Sequence, residues 1–191
     1  MDIVLASSST YRKALLEKII QHFKCASPDI DESHLPNENY KEMAERLSIR
    51  KAQALAASHP NSLIIGSDQV ACLGEQILRK PLNKERNLEQ LTLCQGKTAY
   101  FYTGLCLLNT KTGKYQSAVE SYATKFRKLN EQQLINYIER EQAYDCAGGF
   151  KMEGLGISLF ESIEGKDPNI LIGLPLIRLI DMLAKEGVSI L

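Results

Sequence analysis

Asp68 closes the run "LIIGSD" at residues 63–68, and an acid so placed is costly unless water, a cation or a metal receives it. Leu63-Ile64-Ile65 is short, rich in β-branched residues and unbroken, which predicts a strand buried on both faces. Ligands of α/β folds bind at the C-terminal ends of such strands. Asp68 is therefore either a capped turn residue or the centre of a site. A second candidate is "ASSSTYRK", where Ser7, Ser8 and Ser9 separate a strand from a helix and Arg12 and Lys13 fall in its first turn. Hydroxyls and free N–H groups at a helix start can cradle a phosphate. Two cations there oppose the helix dipole by about 0.3–1 kcal/mol each, a misfit that a bound anion removes. A serine cap followed by solvated charges accounts for the same residues equally well.

Other polar groups sit in comparable places. Asp31-Glu32 lies in an acidic loop, Lys51 in a helix, Lys80 before Pro81, and Lys151 and Glu153 in the glycine-dense "CAGGFKMEGLG". Each alone reads as a solvated surface charge. Together they offer acids for a hydrated Mg²⁺ and bases for a triphosphate, since Mg²⁺ takes one or two carboxylates, several waters and phosphate oxygens. "GKDPNILIGLP" reads as a loop that positions the last helix and walls a pocket.

The elements that must position these groups follow from periodicity. "IVLASSSTYRKALLEKII" predicts strand, loop and helix, with Ser9 or Thr10 as cap and Ala14, Leu15 and Ile19 as the apolar stripe. Residues 25–40 are turn-rich and acidic, hence a loop. "YKEMAERLSIRKAQALAAS" is an amphipathic helix with Met43, Leu47 and Leu55 on one side. "SLIIGSDQVACL" is a strand that turns at Gly74 into "QILRKPL", and "NKERNLEQLTLCQGK" is a helix stopped by Gly96. Residues 98–129 alternate as a hairpin closing at "TKTG". A helix capped by Asn130 follows, then a strand pair or bulged strand in "GLGISLFESIEG", and a closing helix with Pro175 early and Gly187 at its end. This succession predicts an α/β fold, a mixed β-sheet flanked by helices, in a single domain over 1–191.

Composition narrows the function. The 23 basic and 23 acidic side chains balance, which removes any general attraction to a nucleic acid polymer or an anionic membrane. Five scattered cysteines (Cys25, Cys72, Cys94, Cys106, Cys146) contain no C-x-x-C pair, so they predict reduced thiols of a cytoplasmic protein rather than a zinc site or disulfide frame. No apolar stretch approaches the length of a membrane span, and the start lacks a signal peptide's basic region. His22, His34 and His59 show no ligand spacing, Gly96-Lys97-Thr98 is not a Walker A loop, and no G-x-S-x-G is present.

Taken in order, these blocks resemble the Maf family of nucleoside triphosphate pyrophosphatases. "LASSSTYRKALL" is similar to its opening S-x-S-P-R-R pattern, "GSDQV" to its central acid motif and "RKPL" to its G-K-P-L element. "TGL", "CAGGFKMEGLG" and "GKDPNILIGLP" complete a set running from residue 5 to 175. The resemblance implies a Maf/ITPase-like fold, two lobes with a central cleft, and hydrolysis of a nucleoside triphosphate to monophosphate and pyrophosphate. It implies Asp68 as the proton acceptor that activates water, with a divalent cation (Mg or Mn) required and Glu32 beside Asp68 as its contacts. Ser7, Ser9, Arg12, Lys51, Lys80 and Lys151 would line the cleft as phosphate-binding groups. Cations and metal around Asp68 predict a lowered carboxyl pKa. The resemblance allows a homodimer.

Tyr11, Gln69 and Glu153 occupy the positions that separate the branches of this family, and match the branch associated with 7-methyl-GTP. Relatives preferring dTTP and UTP carry Arg, Thr and Gln there. Guanine's N1–H and N2–H suit a carboxylate such as Glu153, and the cationic methylated base suits the face of Tyr11, by about 0.5–2 kcal/mol. The branch usually has Trp at position 11 and Pro at position 10, and tyrosine is the weaker platform. Pyrophosphatase action on dTTP, UTP or another modified nucleotide is the alternative within enzymes. A nucleotide-binding regulator of septum formation is the alternative outside them.

Overall fold

In the computed structural model, which describes residues 1–191, seven strands and five α-helices make a mixed α/β fold. The strands are β1 (Asp2–Ala6), β2 (Lys24–Ala26), β3 (Ser62–Leu73), β4 (Gln76–Leu78), β5 (Thr98–Asn109), β6 (Lys114–Phe126) and β7 (Phe160–Glu164). The helices are α1 (Thr10–Leu16), α2 (Tyr40–Ala54), α3 (Lys84–Cys94), α4 (Glu131–Glu141) and α5 (Leu176–Lys185). The sheet runs β2-β1-β3-β5-β6-β7, with β4 against β3. The chain divides into two compact units, one of Met1–Gln69, Tyr102–Glu120 and Asp167–Leu191, the other of Val70–Phe101 and Ser121–Lys166.

In the first unit, the period of two along each strand sends alternate residues to two separate cores. Leu63 and Ile65 of β3 join Leu5, Leu105 and Leu107 beneath Leu15 and Leu16 of α1 and Leu179 and Leu183 of α5. Ile64 joins Val4, Ala6, Cys106 and Leu108 beneath Ala52 and Leu55. A sheet covered on both faces needs apolar residues at every position, which is why "IVLA" and "LII" carry no polar alternation. β1 pairs in parallel with β3 from Asp2↔Ser62 to Ala6↔Gly66. Helix α2 starts at a capping box in which Asn39 and Glu42 satisfy each other's backbone N–H. Its approach to the sheet is set by two glycines: a Cβ on Gly66 would overlap the Ser48 carbonyl oxygen, and one on Gly104 the Ala44 carbonyl oxygen.

The second unit gathers Phe101, Phe126, Phe150 and Phe160, with edge-to-face contacts at centroid distances of 4.8–6.2 Å. Asn83 caps α3 and Asn130 caps α4, the latter with a capping box completed by Gln133.

Several expectations change. The buried residues of α1 are Leu15 and Leu16, Ile20 is buried just past its end with Ile19 packed beside it, and Ala14 is exposed. The expected loop over 25–40 starts as strand instead, residues 24–26 forming β2 by pairing in parallel with β1. "GLGISL" is a 3-10 turn and only residues 160–164 are strand, its partner β6 shifting register between Lys125 and Phe126.

All five cysteines are free thiols, Cys25 exposed and Cys72, Cys94 and Cys106 buried. Burial pushes the Cys94 and Cys106 thiols up to about 12, and only a thiolate alkylates readily. Iodoacetamide at pH 8 should label Cys25 in the native protein and leave Cys94 and Cys106 untouched until denaturant is added, as read by peptide mass spectrometry. Native labelling of either at the rate of Cys25 would contradict this packing.

Candidate active site around Asp68

Asp68 lies inside β3, not past its end. The parallel partner β1 stops opposite Gly66, but β3 continues to Leu73. The carboxylate is thus held on a rigid strand just beyond the point where its neighbour ends, and Asp68 is 7% exposed. Lys51, in the last turn of α2, meets it: Nζ donates to Asp68 Oδ1 at 2.5 Å and lies 2.7 Å from Glu32 Oε1. The close seat of α2 on Gly66 and Gly104 makes this reach possible. The Lys51 and Asp68 side chains are nearly buried, whereas Glu32 sits on an exposed loop. Removing one partner of so buried a pair typically costs about 3–5 kcal/mol, while the exposed Glu32 contact adds about 0–1 kcal/mol.

Burial raises the Asp68 pKa above the ordinary carboxylate value, against the pull of Lys51 and Arg12 and with a further push from Glu32. The expected lowering counted a bound metal with the cations; among the protein's own groups, burial outweighs Lys51 and Arg12. Counting nearby cations omitted the desolvation of a group enclosed by sheet and helix, and Lys51 divides its charge between two acids.

Arg12 closes the other side of this electrostatic group. Desolvation lowers its pKa, while the charges of Asp68 and Glu32 favour the guanidinium. Its Nε donates to the Gly173 carbonyl at 2.8 Å, and its Nη1 approaches Ser7 Oγ at 3.5 Å. Ser7 Oγ also accepts from the Ser9 N–H at 3.1 Å, and Ser9 Oγ caps α1 through the Arg12 N–H at 3.3 Å. The serine run therefore serves first as the frame that holds Arg12. Tyr11, the second residue of α1, is half-buried.

Gln69 lies next to Asp68. Its Nε2 donates to Thr103 Oγ1 at 3.1 Å and to the Ile170 carbonyl at 2.6 Å. Ser67, fully buried, places its hydroxyl 2.8 Å from the Gly104 carbonyl and 2.9 Å from that of Gly173. Asp167, also buried, accepts from the Asn169 and Ile177 N–H groups at 2.9 Å each and so fixes the 3-10 turn at Pro168–Ile172 and the start of α5. The "DPNILIGLP" segment supplies backbone carbonyls to four side chains, Arg12, Ser67, Gln69 and Thr103.

The structure thus brings together Asp68, Lys51, Glu32, Arg12, Ser7 and Ser9 in the first unit, where Gln69 instead bonds Thr103 and the Ile170 carbonyl. Lys80, Lys151 and Glu153 belong to the second. Lys80 is exposed after β4, Glu153 is exposed, and Lys151 Nζ donates to the Glu141 carbonyl at 3.4 Å. Glu141's carboxylate accepts from the Leu155 N–H. Sequence reasoning missed Ser67 and Thr103. The signal available was their place inside the two site motifs, "GSDQV" and "TGL".

The sequence profile of one family, described as Maf-like protein, matches residues 2–186. The chain belongs to the Maf family. Curated relatives align along its whole length. A protein of Nitrosococcus oceani named 7-methyl-GTP pyrophosphatase is 51% identical over 189 residues, 99% of this Maf chain and 95% of the relative. Proteins of the same name from Pseudomonas savastanoi pv. phaseolicola and Pseudomonas aeruginosa are 54% and 52% identical to this Maf protein, each over 99% of it and 98% of the relative. Among solved structures, the Staphylococcus aureus Ham1 protein overlaps 66% of this Maf chain and 72% of its own, at a TM-score of 0.48 and 16% identity.

Proposed function

We propose that this Maf protein is a nucleoside triphosphate pyrophosphatase that hydrolyses 7-methyl-GTP to 7-methyl-GMP and pyrophosphate. The observation that carries the chemistry is the buried Asp68–Lys51 pair, joined by the exposed Glu32, with Arg12 beside it. The names of full-length relatives more than half identical support the substrate.

Asp68 is the proton acceptor for water attacking the α-phosphorus. A general base works best with a pKa near the operating pH, and burial moves Asp68 in that direction. Lys51 holds the carboxylate in place, and Arg12, framed by Ser7 and Ser9, offers its guanidinium to phosphate oxygens. Lys80 and Lys151 contribute further positive charge, and Tyr11, Gln69 and Glu153 select the base.

The residues fit a divalent cation, Mg²⁺ or Mn²⁺. No group of three or more His, Cys, Asp or Glu side chains is gathered to hold a metal by itself. Two hard carboxylate donors, Asp68 and Glu32, do converge on one ammonium, and Mg²⁺ takes one or two carboxylates with waters and phosphates. Lys51 and Arg12 only balance those two acids, so a triphosphate needs additional positive charge. When bound, the cation supplies that charge and makes water more acidic.

The test is pyrophosphate release, with Mg²⁺ or Mn²⁺, from 7-methyl-GTP, GTP, dTTP, UTP, CTP and ITP. The reading expects 7-methyl-GTP to give the highest kcat/KM. A lead for dTTP or UTP would retain the chemistry and overturn the base assignment. Binding without turnover of any nucleotide would point to the regulator.

A further inference from the structure

A primary amide can turn either its N–H donors or its carbonyl lone pairs toward a ligand, with almost no change of shape. Which one the ligand meets is decided by the groups behind it. For Gln69 those groups all belong to the first unit. Nε2 lies 2.6 Å from the Ile170 carbonyl oxygen and 3.1 Å from Thr103 Oγ1, so both of its hydrogens are engaged. Thr103 is fully buried, and its own hydroxyl points at the same Ile170 oxygen from 3.1 Å. With its proton directed there, Thr103 shows Gln69 only lone pairs. The Ile170 oxygen also accepts from the Gly173 N–H at 3.0 Å and has no hydrogen to give. Reversing the amide would press oxygen against oxygen at the shortest of these contacts.

We infer that Thr103, with the Ile170 carbonyl, is a positioning residue that determines base specificity by locking the polarity of Gln69. The inference rests on the base-selecting part given to Gln69 above. Oε1 is the amide atom left for the base, so this point of the pocket admits a base that presents an N–H and rejects one that presents a carbonyl or ring lone pair. Guanine, whose edge carries adjacent N1–H and N2–H donors, suits it. Uracil, whose single N–H lies between two carbonyls, suits it less.

The experiment measures kcat and KM for 7-methyl-GTP and UTP with the wild type, Thr103→Val and Thr103→Ser. Valine keeps the shape and removes the acceptor behind Nε2, whereas serine keeps the hydroxyl. Thr103→Val should lower the 7-methyl-GTP to UTP ratio of kcat/KM by about tenfold, the worth of one hydrogen bond to a base edge. The change should fall on KM for 7-methyl-GTP, with kcat kept, and Thr103→Ser should restore the ratio. An unchanged ratio in Thr103→Val overturns the inference. So does an equal fall in Thr103→Ser, which would assign the effect to packing.

Thr103→Ala carries the test if the valine variant does not fold. It too removes the acceptor behind Nε2, so the ratio should again fall about tenfold, and an unchanged ratio overturns the inference. If the wild type turns over no nucleotide, the proposed function fails separately. The same ratios are then read as Kd by calorimetry, where an unchanged ratio is equally decisive.

Discussion

Asp68→Asn is expected to lower pyrophosphate release at least a thousandfold while the protein stays folded. Loss of a positioned general base costs about 10²–10⁴-fold, and Asp68 also belongs to the proposed metal contact, which places the effect toward the upper end. Asparagine keeps the shape and still offers Lys51 an acceptor, and Glu32 remains 2.7 Å from the ammonium, so the buried charge is not stranded. Single-turnover release beside a thermal melt separates the two consequences. A variant that keeps a tenth of the activity would remove Asp68 as the base. The wild type carries a companion signature. The ionised carboxylate is the active form, and burial raises its pKa. In the metal-free protein the Asp68 carboxyl should therefore protonate at a pH above that of an ordinary aspartate, as read by an NMR titration of the carboxylate.

Gly104→Ala should produce the largest loss of stability. The added Cβ would overlap the backbone carbonyl oxygen of Ala44, and no rotamer change can move a backbone atom. Gly66 meets the same helix at Ser48, one turn further along. These two points hold α2 against β3 and β5. Lifting α2 away would expose Ala44, Leu47 and Ala52, all fully or nearly fully buried. Such a clash exceeds about 4 kcal/mol, the level reached only by severe packing defects, out of a total of about 5–15 kcal/mol. The expected drop in Tm is at least about 8 °C. Gly66→Ala should behave alike, and a Gly104→Ala protein melting within about 2 °C of the wild type would refute the close seat.

These residues also show how far the sequence could be read. β3, α2, the β5–β6 hairpin and the Asn130 cap were legible because periodicity and cap chemistry are local. β2 was not. Its three residues are mostly exposed, and only the free edge of β1 makes them a strand. Asp68 was legible as a candidate from its acid after an apolar run, and Lys51 and Glu32 from their charge. Its place within "SLIIGSDQVACL" was legible too, whereas the end of its neighbour β1 opposite Gly66 was hidden, because pairing is set between separate segments. The direction of the Asp68 pKa was hidden for a related reason: cations are visible in a sequence, whereas the loss of water around a side chain is not. Ser67 and Thr103 act through the carbonyls of Gly104, Ile170 and Gly173. Every residue has a carbonyl, so residue type carries no trace of such a partner.

The division of the first unit into three stretches of chain has a consequence for biosynthesis. Leu174, Leu176, Leu179 and Leu183 belong to the same core as Leu5, Leu63 and Ile65, yet about a hundred residues separate the first stretch from the one beginning at Asp167. At ribosomal rates of about 5–20 residues per second, that gap is on the order of 10 s. Throughout it, Leu5, Leu63 and Ile65 wait without the leucines of α5, and Arg12 without the Gly173 carbonyl. The nascent chain therefore completes the group around Asp68 and Arg12 only after the whole of the second unit has been translated, and no fragment released before then can hold Arg12 against the Gly173 carbonyl.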